Sequence, residues 1–232
     1  MPDIFDEVDE DLRHERARAL VRRYGVAAIA AAVLVVVGVA GYEGVQWRQA
    51  RADRAAAAAY IAASAAADVP SQHAAAIAQL THIADTAPAG YRTLARLRLA
   101  ALYAADHEAV RADAAWEQVA GDGAAPRAMR DLATLQWAQH AVDAGDPALI
   151  ESRLQPLVLP GAPFHALARE TLALLDLRRN KTRDAIETLR LVAADPAASE
   201  DVRARARAML AQLGDTPAEP GAQSPATPGS AS

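Results

Sequence analysis

YGVAAIAAAVLVVVGVAGY, residues 24–42, is nineteen consecutive positions without a charge, closed by Arg23 on one side and Glu43 on the other. As a helix it spans about 28 Å, close to the ~30 Å hydrocarbon thickness of a bilayer. A core helix normally carries a polar stripe, whereas this run is apolar all round. A secretory signal has a shorter apolar run and a short basic start, and both are longer here, although Val39-Ala40-Gly41 would pass as a cleavage tail. The chain has no cysteine, which excludes a lipoprotein anchor. Tyr24, Tyr42 and Trp47 stand where interfacial aromatic residues belong. The stretch reads as one transmembrane helix over 24–42.

The flanks orient it. Residues 3–11 carry six acids and no base, and Arg13, Arg16, Arg18, Arg22 and Arg23 then abut the apolar run. Arg48, Arg51 and Arg54 follow on the far side. Acids count little in setting topology, so five basic residues against three put the N-terminus in the cytoplasm. Lys181 is the single lysine among 24 basic residues, beside 62 alanines, which is the mark of GC-rich coding and points to a bacterium. The expected location is the inner membrane, single-pass, with the large C-terminal part in the periplasm. The absence of cysteine is compatible with that oxidising compartment.

The expected organisation is a cytoplasmic amphipathic segment at 1–23, with Ile4, Phe5, Val8 and Leu12 on one face, then the span at 24–42. A periplasmic helical domain follows at 43–214, and a disordered Pro-Gly-Ser tail at 215–232. The net charge of −5 argues against general nucleic-acid binding. Aromatic residues are 4 % of the chain, few for one thick core but suited to closely stacked, alanine-rich helices.

That domain repeats. Small or apolar anchors fall at Ala76, Ala112, Ile150 and Ala185, spaced 36, 38 and 35 residues apart. Four residues after each stand Leu80, Trp116, Leu154 and Leu189; three further on stand Ile83, Val119, Leu157 and Val192. Twelve before each anchor come Ser64, Ala100, Ala138 and Ala173, and Pro88, Pro126, Pro163 and Pro196 punctuate the ends. This is the register of tetratricopeptide repeats, in which two antiparallel helices recur about every 34 residues. Ile150 and Asp176 depart from the usual residue types, and the first repeat is the weakest. The fold class expected is all-α: one N-terminal transmembrane helix followed by a degenerate tetratricopeptide-repeat solenoid. A last helix from about Ser199 to Leu213, with a Ser-Glu-Asp start, closes the open end.

No catalytic constellation is visible. The six histidines are scattered without an i,i+4 pair, and there is no phosphate-binding glycine loop or nucleophile elbow. The expectation is a non-enzyme with no cofactor, no metal, no nucleic acid and no small-molecule substrate. The candidate partner-binding groove is the face of the first helices: Leu94, Leu97, Leu132, Leu135, Val142, Leu167, Leu174 and Leu177. Either these residues pack against adjacent helices, or they form a groove for apolar, extended or helical polypeptide.

DIFDEVDEDLRHERARALVRRYG (Asp3–Gly25), running into the apolar helix and then into degenerate repeats, resembles the YfgM-like family of ancillary SecYEG translocon subunits. The resemblance covers the chain up to Thr216. It implies a periplasmic domain beside the translocon whose partners are Sec components, a periplasmic chaperone and secreted clients, with no catalytic residues. An envelope scaffold that coordinates cell division or envelope assembly, without client binding, is the alternative class.

Overall fold

The computed structural model describes the backbone of residues 4–159 and 161–215, with side chains at residue 30 and from residue 33 onward. The elements are α1 (Ile4–Ala67), α2 (His73–Thr86), α3 (Ala89–Ala105), α4 (Ala109–Ala120), α5 (Arg127–Ala141), α6 (Pro147–Leu154), α7 (His165–Arg178), α8 (Thr182–Ala194) and α9 (Glu200–Gln212). Short 3-10 turns at Pro70–Gln72 and Gln155–Leu157 precede α2 and extend α6. Among the described residues there is no strand, so the chain is all-α. It divides into two compact units, Met1–Ala58 and Ala59–Ser232.

In the first unit the side chains of Val33, Leu34, Val35, Val36, Val37 and Val39 are all exposed, Leu34 at 72 %. Gly38, Gly41 and Gly44 have open space where a Cβ would stand. Gln46 donates to the Tyr42 hydroxyl at 3.2 Å, and the Arg51 guanidinium lies 5.5 Å from the Trp47 ring centre. Among the described residues no helix is long and apolar enough to cross a membrane. From Val33 to Tyr42 the described apolar run is only about 15 Å of helix. The span expected at 24–42 therefore lies partly outside the described residues. The side chains of Ile4, Phe5, Val8 and Leu12, which make the expected face, and the tail from Thr216 lie outside them too.

In the second unit prolines set the helix boundaries. Ala87 and Asp195 each precede a proline and are extended, with ψ of 162° and 112°, so α2 and α8 stop there. Asp146 caps α6 by accepting the Ala148 N–H at 3.0 Å, with Pro147 in the first turn, where its missing N–H costs nothing. α9 starts at the expected place with Glu200 and Asp201 in its first turn, but the Ser199 side chain makes no capping bond. Three helices end in the same left-handed turn, at His107 (φ 62°), Asn180 (φ 59°) and Gly214 (φ 80°). In each, the next N–H bonds back over five residues: Glu108 to Tyr103, Lys181 to Asp176, Asp215 to Leu210.

Each helix from α2 to α9 packs on the next, and alternate helices also touch, α3 on α5, α5 on α7 and α7 on α9. The repeating positions are what they bury. Ala76, Ala112, Ile150 and Ala185 are in the core, with Leu80, Trp116, Leu154 and Leu189, and with Ile83, Val119, Leu157 and Val192. Ala100, Ala138 and Ala173 are fully enclosed. Small residues let the helix axes close up, and each buried leucine beside them contributes about 1.5–3 kcal/mol. The first repeat slips by one position: Ala63 is enclosed and Ser64 only half-buried. A methyl packs there without penalty, whereas the Ser64 hydroxyl finds no partner.

The core forms two clusters. The larger runs from Ala63 to Leu175, and the smaller joins α7, α8 and α9 through Ala173, Leu189, Val192, Val202, Ala206 and Leu210. α7 serves both, giving Ala168 and Leu175 to the first and Ala166 and Ala173 to the second.

Candidate functional site

α4, α5 and α6 enclose a cleft of about 440 Å³, lined by Trp116, Glu117, Ala120, Gly121, Thr134, Trp137 and Arg153. The repeat register puts Trp116 of α4 at a core position, and Trp137 immediately precedes the enclosed Ala138 of α5. Both rings are buried, as inter-helix packing requires, and both line the cleft. The Trp116 indole N–H donates to Gln136 Oε1 at 3.2 Å, which fixes its ring. Arg153, from α6, lies 4.1 Å over the Trp137 ring and pairs with Glu117 across the cleft at 2.9 Å. Both partners of that ion pair are at least a third exposed, so a competing charge from solvent reaches them. The Thr134 hydroxyl is used within its own helix, donating to the Arg130 carbonyl oxygen at 3.0 Å. Beside the cleft, the His140 ring meets Trp116 at 5.2 Å, and its Nδ1 stands 3.3 Å from Asp113. The arrangement offers a hollow lined by aromatic residues for an apolar side chain and a guanidinium for a carboxylate.

The eight candidate groove residues are not one open surface. Leu97, Leu135 and Val142 are buried, Leu135 at 2 %. Leu94, Leu132, Leu167, Leu174 and Leu177 are half-buried. Leu132, Leu167 and Leu174 pack on the larger core cluster, and Leu167 and Leu177 on the smaller. Packing against adjacent helices is what most of their surface does.

Glu170 interrupts that row. It is 6 % exposed, and Arg205 of α9 grips it with two hydrogen bonds of 2.9 Å. The bound carboxylate raises the Arg205 pKa above its ordinary value. The sequence carried a signal for this pair, since the two residues are 35 apart, one repeat period. Glu117 and Arg153 of the cleft are 36 apart for the same reason. Among the described residues no group of three or more histidine, aspartate or glutamate side chains is placed to hold a metal ion. The described architecture belongs to the all-helical class. No protein-family model, no curated protein and no solved structure matches this chain.

Proposed function

We propose that the chain is a protein–protein interaction module, held to a bacterial inner membrane by its N-terminal helix and working as an accessory of the Sec translocon. It has a single span, the N-terminus cytoplasmic and the helical domain periplasmic, where it contacts emerging proteins or a periplasmic chaperone. The observation that carries this reading is the uncovered apolar row from Val33 to Val39. Such a row is stable only when something apolar covers it, and a bilayer fits a run of nineteen uncharged residues. The repeat period of 35–38 residues and the helix-on-next-helix packing support a degenerate tetratricopeptide-repeat stack, a type of scaffold that presents an extended binding surface. The resemblance of Asp3–Gly25 to YfgM-like translocon subunits supports the Sec assignment.

In this reading the docking surface is the cleft between α4 and α6. Its occupant is an extended polypeptide with an apolar side chain beside an acidic one: the first enters the cleft that Trp116 and Trp137 line, the second takes Arg153 from Glu117. Tethering raises local concentration, so weak contacts suffice. A photo-crosslinker placed at Glu117, on the exposed rim, should capture a secreted client or translocon subunits during export, and Arg153→Glu should reduce that capture. Capture of division or cell-wall factors alone would put the envelope-scaffold reading in its place. Protease added to intact spheroplasts should digest the domain beyond Tyr42 and spare an N-terminal tag; a protected domain would overturn the topology.

A further inference from the structure

Three histidine–aspartate pairs stand where antiparallel helices come apart. His73 opens α2 and Asp106 directly follows α3; His165 opens α7 and Asp195 directly follows α8. His140, near the end of α5, faces Asp113 in α4 more loosely, at 3.3 Å. The first and third rings in chain order are gripped at both nitrogens. In His73, Nδ1 lies 2.8 Å from the Ala67 carbonyl oxygen and Nε2 lies 2.8 Å from Asp106 Oδ2. In His165, Nδ1 lies 2.9 Å from the Ala162 carbonyl oxygen and Nε2 lies 2.6 Å from Asp195 Oδ2. A carbonyl and a carboxylate can only accept. A neutral imidazole has one N–H and serves one of them, so only the imidazolium donates to both.

We propose that the His73–Asp106 bridge is a proton-operated latch, closing the open end of α2–α3 when the ring is charged and giving up one contact when it is neutral. Arg98 of α3 opposes the charge on His73, but its guanidinium is held by Asp68, directly after α1, at 2.6 Å. The Ala67 carbonyl, then Asp106, raise the His73 pKa above its ordinary value. A raised value means the contribution is complete below the ordinary imidazole pKa of about 6.5 and is lost as pH climbs through the folded value.

The test is amide exchange on the full-length chain in detergent micelles, corrected for intrinsic rates, at about pH 5.5 and about pH 8.5, either side of the imidazole range. Protection at 68–74 should fall about three- to ten-fold at the higher pH, the effect of one lost hydrogen bond, while the Ala87 amide in the α2–α3 connection stays unchanged. His73→Gln should abolish the response. Asp106→Asn, which keeps the ring, should shrink it. If the glutamine variant fails to fold, the asparagine variant and an NMR titration of His73 in the parent decide. Equal protection at both pH values, variants that respond like the parent, or a His73 midpoint at or below the ordinary value would each overturn the latch.

Discussion

At His107 the backbone sits at φ 62°, where a Cβ crowds its own carbonyl oxygen. Gly214 makes the same turn without that crowding, so His107→Gly should raise stability by about 0.5–1 kcal/mol, the left-handed penalty less the entropy that glycine adds to the unfolded chain. A urea midpoint that falls or stays put would remove the strain argument. Asn180→Gly should gain less, because asparagine tolerates this conformation. Glu170 makes the opposite case. Arg205→Ala strands a carboxylate that is 6 % exposed and should cost about 1–3 kcal/mol, the lower part of that range being favoured because half of the Arg205 side chain is in water. Adding Glu170→Leu should recover most of the loss in the same denaturation assay; no recovery would mean that Arg205 acts through packing. The spacing of 35 marks this pair in the sequence, but spacing alone does not say which member is buried. Burial depends on how far α7 and α9 approach, a tertiary quantity that a one-dimensional pattern does not carry.

Among the elements, the join between α5 and α6 leaves no room at Gly145. A Cβ on Gly145 would stand 2.8 Å from the Ala141 carbonyl oxygen and 3.1 Å from Ile150 Cδ1, so Gly145→Ala should destabilise by about 1–3 kcal/mol. Thermal melts would check it, and an unchanged midpoint would mean the turn shifts freely. Arg178, one α7 turn beyond Leu174, reaches back to clamp this join through the Val142 and Gly145 carbonyl oxygens at 2.6 and 2.7 Å. The helix limits were legible because they are written in local chemistry, as with Pro88, Pro196 and the Asp146-Pro147 start. The core residues of the second helices were legible because a fixed register repeats them. The row from Leu94 to Leu177 was not, since a leucine on a first helix looks the same in sequence whether it lines a groove or fills a seam. The Trp116–Trp137 cleft was missed for a related reason: the register reads Trp116 as core, and both tryptophans are buried, yet both line the cleft.

Across the helical unit, α7 is the seam between the two core clusters, and this makes stability uneven along the chain. Leu189 lies wholly in the smaller cluster. Leu189→Ala should cost about 2–5 kcal/mol there, and amide exchange should show the loss in α8 and α9 before α3 and α4. Uniform loss would mean that the clusters unfold as one. The pattern of contacts also governs how the unit comes into being. Every extensive contact joins a helix to its successor or to the one after that, so no segment waits for a distant one. Loop-closure entropy is then small at each step, and low contact order favours rapid formation. A chain threaded tail-last through a narrow pore can therefore fold as it emerges, α2 on α3 while α9 is still inside, without leaving a long apolar stretch exposed.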